Sequence, residues 1–521
     1  MKSLLHSISK HHLLILSIFY FIFLLINLTL LPIFNDESIY LDWGWISLHV
    51  PGNAFLSLTD AKQPLLIWIF GIFATVFPDP LVAGRLVSVL IGTLTIVGVY
   101  SLAKKLFDKQ TAFFASLIYA IMPIFVFYNR QALMEASIGC VGIWSGSILL
   151  SLLQKSTLKR GVLLGIILGL GFFIKSSALL FIISAAVVIL FYLWREKKKT
   201  LFSSFLAVLG GTFIVDFFLL TNPLFWQTFS SNDRYAYTAE ELLLFPFIQW
   251  LISFYGFLQI GFVYVTPLVF IAALWGMYLL IKKSMPYSLG ILCYFILALL
   301  LEIFTVKSQS QRYLVDFLPF FSIPAAYVFK NLWQKNNIKK TLVIISLLIS
   351  FALSLMVLFV PDAYIMQTAK ISPYSDTEDT YGYTAGYGIN QTIQYIQAHS
   401  VPSQPTMVLF ALWTGNPENA LDVYSFKSQN LFPLRIDSKL FPNINNYQCM
   451  TSSYPLFFVT RDGNLAGMDK YFSLEKTIPT HDPAYSIKIY TLKKDCKGKT
   501  VSLSDAYLPL INKELEIKMG Q

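Results

Sequence analysis

Charge is what this sequence has least of. Asp, Glu, Lys and Arg make up 13% of its 521 residues, against about 25% in soluble globular domains. With 55% hydrophobic residues, that scarcity excludes a soluble globular enzyme and reads as an integral membrane protein. Cysteine is scarce as well, with four in the chain. Cys140 and Cys293 lie inside apolar runs and are expected to pack as small hydrophobes. That leaves Cys449 and Cys496 as the pair able to bridge in an oxidising compartment. No His/Cys spacing in the region after residue 360 suits a metal, and no Gly-rich phosphate loop follows a strand, so no nucleotide site is expected.

The net charge of +10 invites a nucleic-acid reading, which its distribution rejects. Residues 1–360 hold 25 Lys+Arg against 14 Asp+Glu, whereas residues 361–521 hold 14 against 15. The first region is long apolar runs joined by short charged links. The second is polar and interrupted by Pro, Gly and Asn, as a water-soluble domain of that size should be. The expected domains are therefore a transmembrane region, 1–360, and a soluble α/β domain, 361–521, with short strands at TMVLFAL (406–412) and YPLFFVT (454–460).

A helix needs about 20 apolar residues to cross a bilayer, and fewer where the bilayer thins. Eleven runs qualify: 12–32, 81–103, 111–128, 133–153, 161–174, 177–194, 201–221, 256–281, 286–304, 312–330 and 341–360. Residues 161–194 fit either a tight hairpin or one long broken helix. The first run resembles a signal sequence but lacks a small-residue cleavage site, so it reads as a retained span.

The N-terminus and the links 103–110, 154–160, 195–200, 282–284 and 330–340 fall on one side and hold 18 Lys/Arg against two acids, Asp108 and Glu196. The positive-inside bias makes that side cytoplasmic. This places the protein in the cytoplasmic membrane as a multi-pass chain, with a cytoplasmic N-terminus and an extracytoplasmic C-terminal domain. The stretch KQPLLIWIFGIFATVF (62–77) would invert every later link if it crossed. It reads instead as a helix lying at the outer surface, within an outer loop 33–80.

The outer side holds seven basic residues and 12 acids within the first 360. Asp36 and Glu37, in NDES after the first span, are costly at that depth unless they bind something or act as bases; a helix cap is the simpler use. Asp60 and Lys62 open the surface helix, where an ammonium and free N–H groups could hold an anion, or Lys62 could snorkel to headgroups. Arg130 and Glu135 lie in YNRQALMEAS, where a plain salt bridge is the alternative. Lys175 stands at a hairpin tip. Lys307, Arg312 and Tyr313 begin the tenth span, with Arg312 and Asp316 spaced for an i,i+4 pair. Isolated cations and carboxylates on one membrane face suit a substrate with a lipid tail, an interfacial phosphate and a polar group in water.

The order of these motifs resembles the GT-C superfamily of polytopic membrane glycosyltransferases, in particular the protein O-mannosyltransferases, the aminoarabinose transferase that modifies lipid A and related bacterial enzymes. The residues that carry it are the acidic pair, KQPLLIW (62–68), NRQALME (129–135), GFFIK (171–175) and RYLVDFLP (312–319), spread over residues 12 to 360, with TAGYG (384–388) a further match. Glu135 stands where relatives often have Asp, and Gln63 where Pro is common. The resemblance implies transfer of a sugar from a polyprenyl-phosphate donor to a lipid, glycan or protein acceptor, usually with inversion. By motif position Asp36 would be the general base, with Glu37 orienting it or the acceptor. Lys62, helped by Tyr313, Arg312 and Lys307, would bind the donor phosphate, while Arg130, Glu135, Asp60 and Lys175 would shape the site. No cofactor is required. Some relatives hold a divalent ion, which would fall at Asp36 or Glu37, though nothing in the sequence indicates one.

Two other classes compete. A lipid or lipid-linked-glycan flippase should carry charges near the bilayer midplane and broken helices in corresponding halves. Here the notable charges gather at the outer span ends and no internal repeat is visible; Asp216 and Glu302, each near the outer end of a span, are the candidate exceptions. An envelope scaffold would leave the outer cations unexplained.

Overall fold

The computed structural model describes residues 2–229, 235–283, 287–401, 404, 406–411, 415–428, 430–436, 455–461 and 472–492. Cys449 and Cys496 lie outside them. The helices run in the order α1 (Lys2–Leu25), α2 (Asn35–His49), α3 (Leu65–Val76), α4 (Pro80–Leu106), α5 (Lys109–Ala120), α6 (Pro123–Tyr128) and α7 (Glu135–Gln154). They continue with α8 (Leu158–Ile174), α9 (Ala178–Glu196), α10 (Lys199–Leu220), α11 (Pro223–Phe229), α12 (Ala239–Leu243), α13 (Phe247–Tyr264) and α14 (Pro267–Lys283). The last group is α15 (Ser288–Thr305), α16 (Gln311–Val315), α17 (Ser322–Trp333), α18 (Asn337–Phe359), α19 (Pro361–Ile371), α20 (Ile389–Ala398) and α21 (Glu418–Ser425). Among the described residues seven of these, α4, α7, α9, α10, α13, α15 and α18, are long and apolar enough to cross a membrane. The protein is a mostly helical, multi-pass membrane protein with a small C-terminal sheet.

Two compact units form. The first comprises 1–28, 57–66 and 85–376; the second gathers 29–56, 67–84 and 377–521. In the first, residues 158–196 are two helices separated by Lys175–Ser177, which resolves the choice left open by the sequence. The run 256–281, read as a single span, is instead two helices. Thr266, at φ +71°, breaks it directly before Pro267, whose ring excludes the preceding residue from the helical region. Trp250 near the start of α13 donates to Phe304 O (3.0 Å), and Tyr264 at its end meets Thr368 (3.1 Å). Phe304 lies in the last turn of α15 and Thr368 in α19, so the two bonds tie both ends of α13.

The closest helix pair is α8 on α10. Gly161, Gly165 and Gly169 recur every fourth residue along α8 and face Ser204, Val208 and Thr212 of α10. A Cβ at Gly165 would overlap Val208 O. Backbone proximity of this kind substitutes in lipid for the absent hydrophobic drive. Gly165→Val is therefore expected to destabilise the protein by about 1–3 kcal/mol, seen as a lower unfolding temperature in detergent. An unchanged temperature would show that the pair can separate without cost.

In the second unit a five-stranded sheet, β1 (Thr406–Ala411), β2 (Leu431–Ile436), β3 (Leu456–Thr460), β4 (Phe472–Ile478) and β5 (Ile487–Leu492), has the order β2-β1-β3-β5-β4. The first three strands in that order pair in parallel and the last two pairings are antiparallel. Helix α21 is the crossover between β1 and β2. The strands predicted at 406–412 and 454–460 are β1 and β3. Both are central and buried on both faces, which explains their unbroken apolar sequences.

Candidate functional site

In the first unit three predicted site residues meet. Glu135 opens α7, Lys175 fills the break between α8 and α9, and Arg312 lies in α16. Lys175 Nζ is 3.3 Å and Arg312 Nη2 3.2 Å from the same oxygen, Glu135 Oε1. Asp316 completes the group. It accepts from Ser177 Oγ (2.9 Å) and lies 3.6 Å from Lys175 Nζ, so the partner of Lys175 comes from 141 residues away. The Tyr313 ring centroid is 6.0 Å from Lys175 Nζ. Burial alone would pull the Lys175 ammonium down, but Asp316 and Glu135 outweigh it and hold its pKa above the ordinary lysine value.

These cations are already matched to carboxylates. Glu135→Leu would remove the carboxylate shared by Lys175 and Arg312, whose side chains are only 19% and 15% exposed, while Lys175 keeps Asp316, and is expected to cost about 1–3 kcal/mol. The measurement is detergent-phase thermal unfolding. A loss below about 0.5 kcal/mol, the scale of an ordinary surface change, would mean that the cluster is not a structural staple.

Lys62 is placed differently. Its backbone N–H donates to Ser57 O (3.0 Å), beside the 3₁₀ turn Leu56–Asp60 that carries Asp60. Its ammonium lies 5.3 Å from the Tyr235 ring centroid. It is half-buried and makes no ion pair among the described residues. Residues 235–237 form a short ladder with 305–307: Lys307 N donates to Tyr235 O (2.9 Å) and Tyr237 N to Thr305 O (2.8 Å). Lys307 Nζ then pairs with Glu241 (2.8 Å) and sits 5.7 Å from the Tyr237 ring. Two predicted phosphate cations are thus joined through a tyrosine ladder. These tyrosines lie in the link 222–255, which is too long or too polar for a simple turn but holds no candidate site residue by sequence. Gln63 accepts from Ser176 N–H (3.1 Å), tying this loop to the Lys175 break.

Arg130 does not join the cluster. Its guanidinium donates to the carbonyls of Leu24, Ile26 and Asn27 at 2.5–3.0 Å, and Arg85 reaches Leu28 O at 2.7 Å. The two arginines satisfy the orphan acceptors at the end of α1, where the helix dipole favours positive charge.

In the second unit Asp36 and Glu37 fall in the first turn of α2, where carboxylates are favoured. Glu37 is fully buried and accepts from Phe34 N–H (3.0 Å). Asp36 remains half-exposed.

Residues 61–226 match the family model described as dolichyl-phosphate-mannose-protein mannosyltransferase. No curated protein matches the chain. Among solved structures, ArnT from Cupriavidus metallidurans in the apo state is similar at TM-score 0.55 and 14% identity, over 92% of this chain and 98% of that one. The same protein bound to undecaprenyl phosphate gives 0.53 and 12%, with the same coverage. The oligosaccharyltransferase of Archaeoglobus fulgidus in the apo form gives 0.50 and 12%, over 95% and 76%. The chain is accordingly a polytopic membrane protein with the fold of the GT-C glycosyltransferases.

Proposed function

We propose that this protein transfers a hexose or pentose from a polyprenyl-phosphate donor to a lipid, glycan or protein acceptor on the extracytoplasmic side of the cytoplasmic membrane. The observation that carries the reading is Lys62: a half-buried ammonium over an aromatic ring, without an ion pair among the described residues, inside the segment that matches the mannosyltransferase model. Such a cation is available to an anion from outside the protein, whereas Lys175 and Arg312 are engaged by carboxylates. The undecaprenyl phosphate of the similar ArnT structure supports a lipid phosphate as that anion.

The reaction is a single displacement. Asp36 takes the proton of the acceptor hydroxyl as its oxygen bonds to the anomeric carbon. The bond from that carbon to the phosphate oxygen breaks on the opposite side, so configuration inverts, and the lipid phosphate leaves with the electron pair. Lys62, with Lys307, Arg312 and Tyr313 helping, stabilises the charge that develops there. A polyprenyl phosphate needs little acid assistance to depart, so one base and a few cations suffice, and no cofactor is needed.

The test is incubation of purified protein with radiolabelled polyprenyl-phosphate sugars and cell-envelope acceptors. Label is expected in the acceptor fraction. Absence of transfer with every donor, together with translocation of the lipid in liposomes, would establish a flippase instead.

A further inference from the structure

Within the second unit, one loop of the C-terminal domain grips the chain that enters α2. The N-cap of that helix, Phe34, offers no side-chain hydrogen bond, so the start of the helix is fastened from outside. Asn416 N–H donates to Asn35 Oδ1 (2.8 Å), and Asn416 Nδ2 donates to Ile33 O (2.9 Å) and to Thr384 O (3.3 Å). Asn419, three residues after Asn416, donates from Nδ2 to Asp42 Oδ2 (2.5 Å), seven residues after Asn35, while Asn419 Oδ1 accepts from Gly415 N–H (2.6 Å). Gly415, at φ +113°, leaves no room for a Cβ against Asn35 Oδ1, and Gly386, at φ +75°, leaves none against Ile33 O. Arg461, just past β3, donates to Asn416 O (3.2 Å) with its guanidinium 4.3 Å from the Tyr383 ring centroid. The loop is therefore pinned to the sheet.

Asn35 and Asp42 are two helical turns apart and share one stripe of α2. Asp36, one residue on from Asn35, projects about 100° around the helix axis. The loop thus fixes the rotation and height of the first turn while leaving the Asp36 face unoccupied by these bonds. Two donations from Asn416, to Asn35 and Ile33, and one from Asn419 to Asp42 are more than a loop needs merely to be anchored.

We infer that Asn416, supported by Asn419, is a positioning residue that sets the Asp36 carboxylate for proton transfer, so that the C-terminal domain acts in the chemical step. This inference rests on the reading of Asp36 as base. Misplacing a reacting group by about 1 Å costs up to about 100-fold.

The experiment measures steady-state transfer per mole of folded protein, with folding checked by thermal unfolding in detergent. Asn416→Ala is expected to lower kcat about 10- to 100-fold while the KM values for donor and acceptor change less than about threefold. Asn35→Ala removes the acceptor of the Asn416 N–H without altering the loop. It should show the same split, and it carries the test if Asn416→Ala does not fold. A domain that only binds acceptor would raise the acceptor KM and leave kcat alone, and that result would overturn the inference. So would an unchanged kcat in both variants while Asp36→Asn is inactive. Undiminished transfer by Asp36→Asn would instead remove the underlying reading.

Discussion

Asp36→Asn should abolish sugar transfer almost entirely, with kcat falling about 10²- to 10⁴-fold and the donor KM staying within a few-fold of wild type. The substitution keeps the shape of the side chain and one acceptor oxygen in the first turn of α2 but removes the ability to take a proton. Loss of fold is thus separable from loss of chemistry: Asp36→Asn should unfold at nearly the wild-type temperature. Glu37→Gln provides the contrast. That carboxylate is buried against the Phe34 N–H, so its amide should reduce stability before it reduces turnover. Equal activity of Asp36→Asn and wild type would place the base elsewhere.

The second large effect is expected at Lys62. Lys62→Met keeps most of the apolar stem over Tyr235 and deletes only the charge, and kcat/KM should fall about 10²- to 10³-fold, the loss seen when one preorganised stabiliser of transition-state charge is removed. If the ammonium merely reached lipid headgroups, activity would remain within a few-fold. Arg312→Met should behave differently, because Arg312 is held by Glu135. Its removal is expected to lower stability together with activity.

The sequence shows the apolar helices well because the bilayer imposes one rule on every run. The divided runs had local signs, Pro267 within 256–281 and Pro123 within 111–128, which an apolar count alone passes over. The cations at the span ends were also legible, since a charge in an apolar setting stands out. Their partners were not. Arg312 and Asp316 suggested a local i,i+4 pair, yet Arg312 reaches Glu135, and Asp316 serves Lys175 and Ser177. Arg130 and Glu135, five residues apart, face different neighbours altogether. Asparagines such as Asn416 carry no charge to draw the eye, and their role emerges only when residues hundreds apart in sequence come together.

The bond between Asn416 and Asn35 spans 381 residues, and this has a consequence for biosynthesis. A chain emerging from the ribosome inserts α1 and its followers early, yet the start of α2 remains unfastened until the loop at 415–419 has been made. Nascent and prematurely terminated chains would insert normally but lack a fixed Asp36. Under the proposed function, activity would then switch on only near the end of synthesis, which would protect the lipid-linked sugar pool from half-made protein.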